Sequence, residues 1–378
     1  MVFAAIAMLR NEADIFPAFA QHLAALFDIV LLLEHGSTDG TPAQIAAACE
    51  GRPGWMSWRV DVAGRYQSRF CAFALRHVFA TTDADAVFFL EADEFIDVPD
   101  RSALTAMLSA PRPPRCLPML HWRNAVPWPL TRGTVAIGDP ILVAPEPSLF
   151  AKIVVPRDAF AATGGRLTPL AGNHVADPGD GLALPQIPIG SVLHLPLRSV
   201  AQMTRKTVIG ALALRAVAAR RAHEGVHQFD ALARMARHDI TPEDVLGWAS
   251  AYGEPGAADQ SRTASDLDEM GFTRRTLDVA HGSLGRDLPA GPAQTPVQAI
   301  AAALLAWRGQ DDGAFSLTLE GDVLRAVPDA AQSDLLGNAL AARDAALSEV
   351  AVLRASTSWR ITAPLRAAIQ ALRGATPR

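Results

Sequence analysis

The chain has 378 residues, of which 50% are hydrophobic and 19% charged, a globular composition long enough for one large domain with an appendage. A net charge of -5 excludes a global basic field that would recruit nucleic acid. Cys49, Cys71 and Cys116 are odd in number and far apart, which argues against a disulfide framework and against structural zinc, and fits a reducing compartment.

The opening segment MVFAAIAMLRNEAD has no basic leader, and no apolar stretch approaches the roughly 20 residues of a spanning helix. The expectation is a cytoplasmic protein. Residues 3–8 read as a buried strand. Residues 14–26 carry Ile15, Phe19, Leu23 and Leu26 at helical spacing. Residues 28–33 form a second apolar run, and 41–49 an alanine-rich helix with Pro42 in its first turn. A strand over 56–62, a helix over 67–79 and a strand over 86–90 follow. This alternation predicts an α/β fold with an open, mostly parallel sheet and flanking helices. Ligands in such sheets bind beyond the carboxyl ends of the strands.

From 111 to 196 prolines are dense and helical periodicity is absent, so irregular strands and loops are expected, including 149–155. A helix is expected over 200–222. Glycine and proline punctuate 253–256 and 288–296. Residues 336, 340, 347 and 350 are apolar at coiled-coil-like spacing, with Gly337 among them. The expected organisation is a first domain over 1–230, a mostly helical extension over 231–328, and a coiled-coil-like segment with a basic tail over 329–378.

Three of the four early strand ends carry acids and small polar residues: Leu9-Arg10-Asn11-Glu12, then Glu34-His35-Gly36-Ser37-Thr38-Asp39-Gly40-Thr41, then Glu91-Ala92-Asp93-Glu94-Phe95. Acids are costly beside a core, so their recurrence at one sheet edge points to a ligand. Gly36–Thr41 reads as a tight, capped turn before a helix, or as a nucleoside-binding loop. Two carboxylates two residues apart, at Glu91 and Asp93, can hold a divalent cation against a diphosphate. They also read as an acidic strand-end loop.

In combination these segments resemble the family 2-type bacterial glycosyltransferases, which carry "NE-A-D", "D-N-G-S-T-D-G-T" and "D-x-D-E-F" segments in this order. The stretch Val192-Leu-His-Leu-Pro-Leu-Arg-Ser199, followed by Lys206 and Gly210, is similar to the same family's late "H-Y-P-x-R-S…K…G" element. The likeness covers roughly residues 1–230. It implies a GT-A-like fold, a nucleotide-sugar donor, and Mn²⁺ or Mg²⁺ as cofactor. On that basis Glu12 and Asp39 contact the nucleoside, and Gln67 and Arg69 lie near the donor diphosphate. Glu91 and Asp93 stand at the metal-binding positions, and His194 completes the metal shell. Arg198 and Lys206 neutralise phosphate charge. Glu34-His35 and Glu91 depart from the family's usual Asp-Asn and Asp, and Leu195 from its usual aromatic. His194 also reads as a half-buried structural histidine, and Arg198 and Lys206 as a solvated helix start.

Inverting transfer, which the resemblance implies, needs a general base. The loop Gly172–Asp177 offers both group types in the acceptor-side half, so His174 and Asp177 are the candidates. The acceptor expected is a cell-surface glycan or a lipid-linked sugar. The tail over 351–378 holds Arg354, Arg360, Arg366, Arg373 and Arg378, no acids, and Trp359. That composition suits peripheral contact with the inner membrane surface or with a partner enzyme. The coiled-coil-like spacing permits a homodimer. Two other classes fit the acids less well. A nucleotidyltransferase lacks its glycine-rich, lysine-bearing phosphate loop here. A catalytically silent assembly protein would keep the fold and dock through residues 330–378.

Overall fold

The computed structural model describes residues 1–130, 133–179, 181–217, 226–254, 256–290, 295–306 and 315–328. The coiled-coil-like segment and the basic tail expected after residue 329 lie outside them, and with them the expected membrane, partner and dimer contacts.

The elements run β1 (Phe3–Leu9), α1 (Phe16–Leu26), β2 (Ile29–Glu34), α2 (Thr41–Cys49), β3 (Trp55–Asp61), α3 (Gln67–Thr81), β4 (Ala86–Glu91), β5 (Glu94–Ile96) and α4 (Arg101–Ser109). There follow β6 (Leu117–Pro127), β7 (Pro140–Val143), β8 (Ala151–Pro156), α5 (Arg157–Ala162), β9 (Thr168–Leu170), β10 (Val175–Asp177), β11 (Gln186–His194), α6 (Val200–Arg215), α7 (Val226–Met235), α8 (Pro242–Ser250), α9 (Ala264–Glu269), β12 (Thr273–Thr276), α10 (Pro296–Ala306), β13 (Phe315–Glu320) and β14 (Val323–Pro328).

The open α/β sheet expected from the alternation is present. Its order is β12-β7-β6-β8-β4-β1-β2-β3-β14-β13. β3, β2, β1 and β4 pair in parallel. β1, β2 and β4 are buried along most of their length, which is why they read as continuous apolar runs. Beyond β4 the sheet turns antiparallel through β8, β6, β7 and β12. From β1 the chain builds outward to β2 and β3, then returns to place β4 on the other side of β1. The switch point therefore lies between β1 and β4, where the rule for open sheets puts a ligand.

Two regions differ from expectation. Between residues 111 and 196 the expected loops are present, but the strands are more regular than expected and the short α5 is added, because the prolines fall where a ladder tolerates them. Pro127 and Pro156 end strands, Pro140 begins one, and Pro188 sits at a register shift in β11. The expected helical extension after residue 230 is not separate either. Of the described residues, those up to 306 and those over 317–326 fall in one compact unit. β12 pairs with β7, β14 pairs with β3, and Trp248 is 1% exposed in the same core as Phe16 and Phe88. The β12 sequence Thr-Arg-Arg-Thr is polar because it is an edge strand, so it carries no apolar signal.

His22 of α1 ties this late region to the first strands. Its Nδ1 donates to the Ala280 carbonyl at 2.6 Å, and its Nε2 accepts the Ile96 N–H at 2.9 Å. Burial lowers its pKa to about 4, so it is held neutral. The folded pKa lies below the ordinary His value, so this contribution is complete above about pH 6.5 and is lost as the pH falls toward 4. Glutamine can make both bonds without titrating. Relative to His22→Gln, the wild type is therefore expected to lose on the order of 3 kcal/mol between neutral pH and about pH 4. Urea unfolding of both proteins across that window checks this, and a constant difference between them would refute it.

Candidate functional site

The first two loops at the sheet's carboxyl edge are knotted together. Asn11 takes φ 56, a left-handed conformation that asparagine tolerates better than most residues. Its N–H donates to Ser37 Oγ at 3.0 Å, and its Oδ1 accepts the Thr38 N–H at 2.7 Å. Gly36 has φ +66, where a side chain would be strained. Asp39 grips both loops. Its Oδ1 accepts from the Thr41 N–H and hydroxyl, and its Oδ2 from the Ala13 N–H. Asp39, expected at the nucleoside, is a bracket whose two oxygens are already engaged.

These loops form one wall of a cleft that opens to solvent; α6 and Gln228 of α7 form the other. Of the expected residues, Glu12, Gln67, Glu91 and Lys206 line it. Arg10, Arg65 and Arg205 add three further cations. Burial lowers the Arg10 pKa to about 10, well above neutral, so it stays charged. His35 closes the floor, with Nε2 bonded to the Val62 carbonyl at 2.7 Å. Burial, reinforced by Arg10, takes its pKa to about 3 and keeps it neutral.

A chain of ion pairs runs from the cleft wall into the interior. Glu91 Oε1 accepts from Gln67 Nε2 at 2.9 Å and pairs with Lys152 at 3.4 Å and Arg65 at 3.6 Å. Burial works against ionisation of Glu91. Lys152, Arg65 and Lys206 outweigh it and hold the carboxyl well below the usual range. Asp93 is 1% exposed, and its Oδ2 meets Lys206 Nζ at 2.5 Å. Burial again opposes its ionisation, and Lys206 with its neighbours again prevails. Asp93 Oδ1 is buried without a hydrogen-bond partner.

Arg198, expected on phosphate, is a buried hub instead. Its Nε and Nη2 bond the two oxygens of Asp14 at 2.7 and 2.9 Å, Nη2 reaches Glu12 at 2.5 Å, and Nη1 bonds the Leu195 carbonyl at 3.1 Å. Its planar fork is used up on protein.

Three more expectations are corrected. Arg69 is exposed, with its guanidinium over the Tyr66 ring at 5.5 Å, and does not line the cleft. It leaves the first turn of α3 on the face opposite the buried Phe70 and Cys71. Asp177 is exposed in β10, where it caps a turn by accepting the Gly179 N–H at 2.9 Å. It is no part of the cleft. His174 lies edge-on to Trp122 at 4.6 Å, with Nδ1 bonded to the Ala151 carbonyl. Burial, with Lys152 nearby, lowers its pKa to about 4, leaving it a neutral and weak base.

The family resemblance implies a divalent cation, and Glu91, Asp93 and His194 do not fit a shared centre for one. Glu91 and Asp93 are each already paired with protein cations. His194 stacks on Trp122 at a centroid distance of 3.9 Å, with Nδ1 facing Asn124 Oδ1 at 3.4 Å. Among the described residues no group of three His, Cys, Asp or Glu side chains could hold a metal ion.

Some participants escaped the sequence reading. Lys152 is a lone lysine in the apolar strand Ala-Lys-Ile-Val-Val, and such a lysine is buried only when paired, a signal that could have found it. Glu94 and Asp14 sat inside the quoted segments without an assigned role. Nothing marked Arg65.

No family model matches the chain, and no curated protein does. Among solved structures it is similar to Staphylococcus aureus TarS residues 1–349, at 11% identity over 87% of this chain and 97% of that one, with a TM-score of 0.33. A complex of the same fragment with UDP gives 11% identity over the same shares and 0.32. Glucosyl-3-phosphoglycerate synthase from Mycobacterium tuberculosis, in complex with Mn²⁺, UDP and glucosyl-3-phosphoglycerate, gives 18% identity over 57% of this chain and 77% of that one, with a TM-score of 0.26. No helix among the described residues is long and apolar enough to cross a membrane.

Proposed function

We propose that this chain is a glycosyltransferase whose cleft takes the nucleoside diphosphate part of a nucleotide-sugar and whose sugar passes to a hydroxyl of a glycan or lipid-linked acceptor. One observation carries the reading. At the switch point of an open α/β sheet, four cations (Arg10, Arg65, Arg205 and Lys206) face two carboxylates (Glu12 and Glu91) across one cleft. A cleft lined by more cations than carboxylates suits the negative charge of a diphosphate. The motif order of the sequence supports the same reading.

In the transfer, the acceptor oxygen bonds to the anomeric carbon and its proton passes to a general base. The bond from that carbon to the diphosphate oxygen breaks, and its electron pair leaves with the diphosphate. Charge grows on the departing oxygen, so cations fixed beside it stabilise the transition state more than the ground state.

The test is a panel of nucleotide-sugars, read by release of nucleoside diphosphate and by protection against thermal unfolding. One donor is expected to protect and to be consumed. Lys206→Ala is expected to slow its consumption by roughly 10²–10³-fold, as for loss of one charge-stabilising donor. A panel in which no donor either protects or is consumed would remove the reading.

A further inference from the structure

We infer that this cleft binds the diphosphate with the protein's own fixed cations, Lys206 and Arg65 foremost, and that Asp93 and Glu91 serve to aim those cations. Binding of a nucleoside diphosphate is then independent of any divalent metal. The inference rests on the donor-site reading above and deepens it.

The donor set argues for it. A hard divalent cation wants anionic oxygens whose charge is otherwise unspent. Asp93 Oδ2 is in a 2.5 Å contact with Lys206, and Arg198 lies 3.9 Å from the same oxygen. Glu91 Oε1 faces Lys152, Arg65 and the Gln67 amide. Any divalent ion seated between these carboxylates meets monovalent cations already in place, and low-polarity surroundings strengthen that repulsion. Among the described residues no three His, Cys, Asp or Glu side chains are placed together to hold a metal ion.

The geometry also shows what the carboxylates do instead. Lys206 Nζ is held from two sides, by Asp93 Oδ2 and by the Pro196 carbonyl at 3.2 Å. Its side chain is 23% exposed and lines the cleft. Arg65 is held by Gln67 Oε1 at 3.2 Å and by Glu91, and its side chain is 30% exposed in the same cleft. Each cation is tethered at its base and open toward the ligand, so little ordering is needed when a phosphate arrives.

Isothermal titration of UDP, GDP and dTDP into the full-length protein tests this, each once in EDTA and once in Mn²⁺. The expected result is that one nucleotide binds with the same affinity in both, to within about threefold, as for a site whose charge is supplied by protein cations. Lys206→Ala should weaken that affinity by about tenfold or more in EDTA. Binding that appears only with Mn²⁺ would overturn the inference and leave the donor site standing. Binding of none of the three under either condition would overturn both. The comparison in the unaltered protein decides the matter even if Lys206→Ala does not fold.

Discussion

Replacing Arg198 with methionine is expected to destabilise the protein by about 3–5 kcal/mol, the cost typical of stranding buried charge. Arg198 is 1% exposed and is the common partner of Glu12 and Asp14, which stand at the start of the chain. Methionine fills the volume but makes none of the bonds. Two carboxylates would lose their direct ion-pair partner under cover, and the loop carrying Glu12 would lose its anchor. Because that loop is one wall of the cleft, nucleotide binding should fall with stability. Lysine should not restore either. One ammonium cannot span both oxygens of Asp14, the Glu12 carboxylate and the Leu195 carbonyl at once. Urea unfolding of Arg198→Met and Arg198→Lys decides this. A lysine variant as stable as the wild type would mean that the charge matters and the fork does not.

That hub shows what the sequence could and could not convey. The parallel half of the sheet was legible because β1, β2 and β4 are buried on both faces and separated by helices with clear periodicity. The carboxyl edge was legible because acids ended three of those runs. What each side chain reaches was not legible, since the partners are remote. Arg198 and Asp14 are 184 positions apart, and Lys206 and Asp93 are 113. Motif position alone put Asp39 on the ligand, whereas local geometry spends it on Thr41 and Ala13. Asp177 carried the right group type in a stretch of chain that turned out to be a solvent-facing hairpin. The antiparallel wing was obscured by prolines, which report where a strand can end but not that one exists.

Lys152→Met should cost as much as the loss of Arg198, about 3–5 kcal/mol for an unpaired buried charge, but with a pH signature of its own. Lys152 Nζ sits 3.2 Å from Glu94 Oε1 and 3.4 Å from Glu91 Oε1, and donates to the Gly172 carbonyl at 2.8 Å. Glu94 is 0% exposed. Its Oε1 accepts from Trp122 Nε1 at 2.7 Å and its Oε2 from the Glu91 N–H at 2.9 Å. Glu91 has other cations, whereas among the described residues Lys152 is the one ion-pair partner of Glu94. Burial already raises the Glu94 pKa to about 7 against the pull of Lys152, and removing that pull raises it further. A carboxyl whose folded pKa lies above its unfolded value favours the fold at low pH and loses that contribution as the pH rises through the folded pKa. The deficit of Lys152→Met should therefore be smaller near pH 5, where Glu94 is protonated in both proteins, and larger at about pH 8, where it is still growing toward the variant's raised folded pKa. Adding Glu94→Gln should recover part of the loss at the higher pH only, since the amide oxygen keeps one of the two accepted bonds without the charge. Chemical denaturation of the single and double variants at both pH values measures this. A deficit equal at the two values would show that Lys152 acts through its other contacts (Glu91, the Gly172 carbonyl and the Trp122 ring, over which it lies at 5.7 Å) rather than through Glu94.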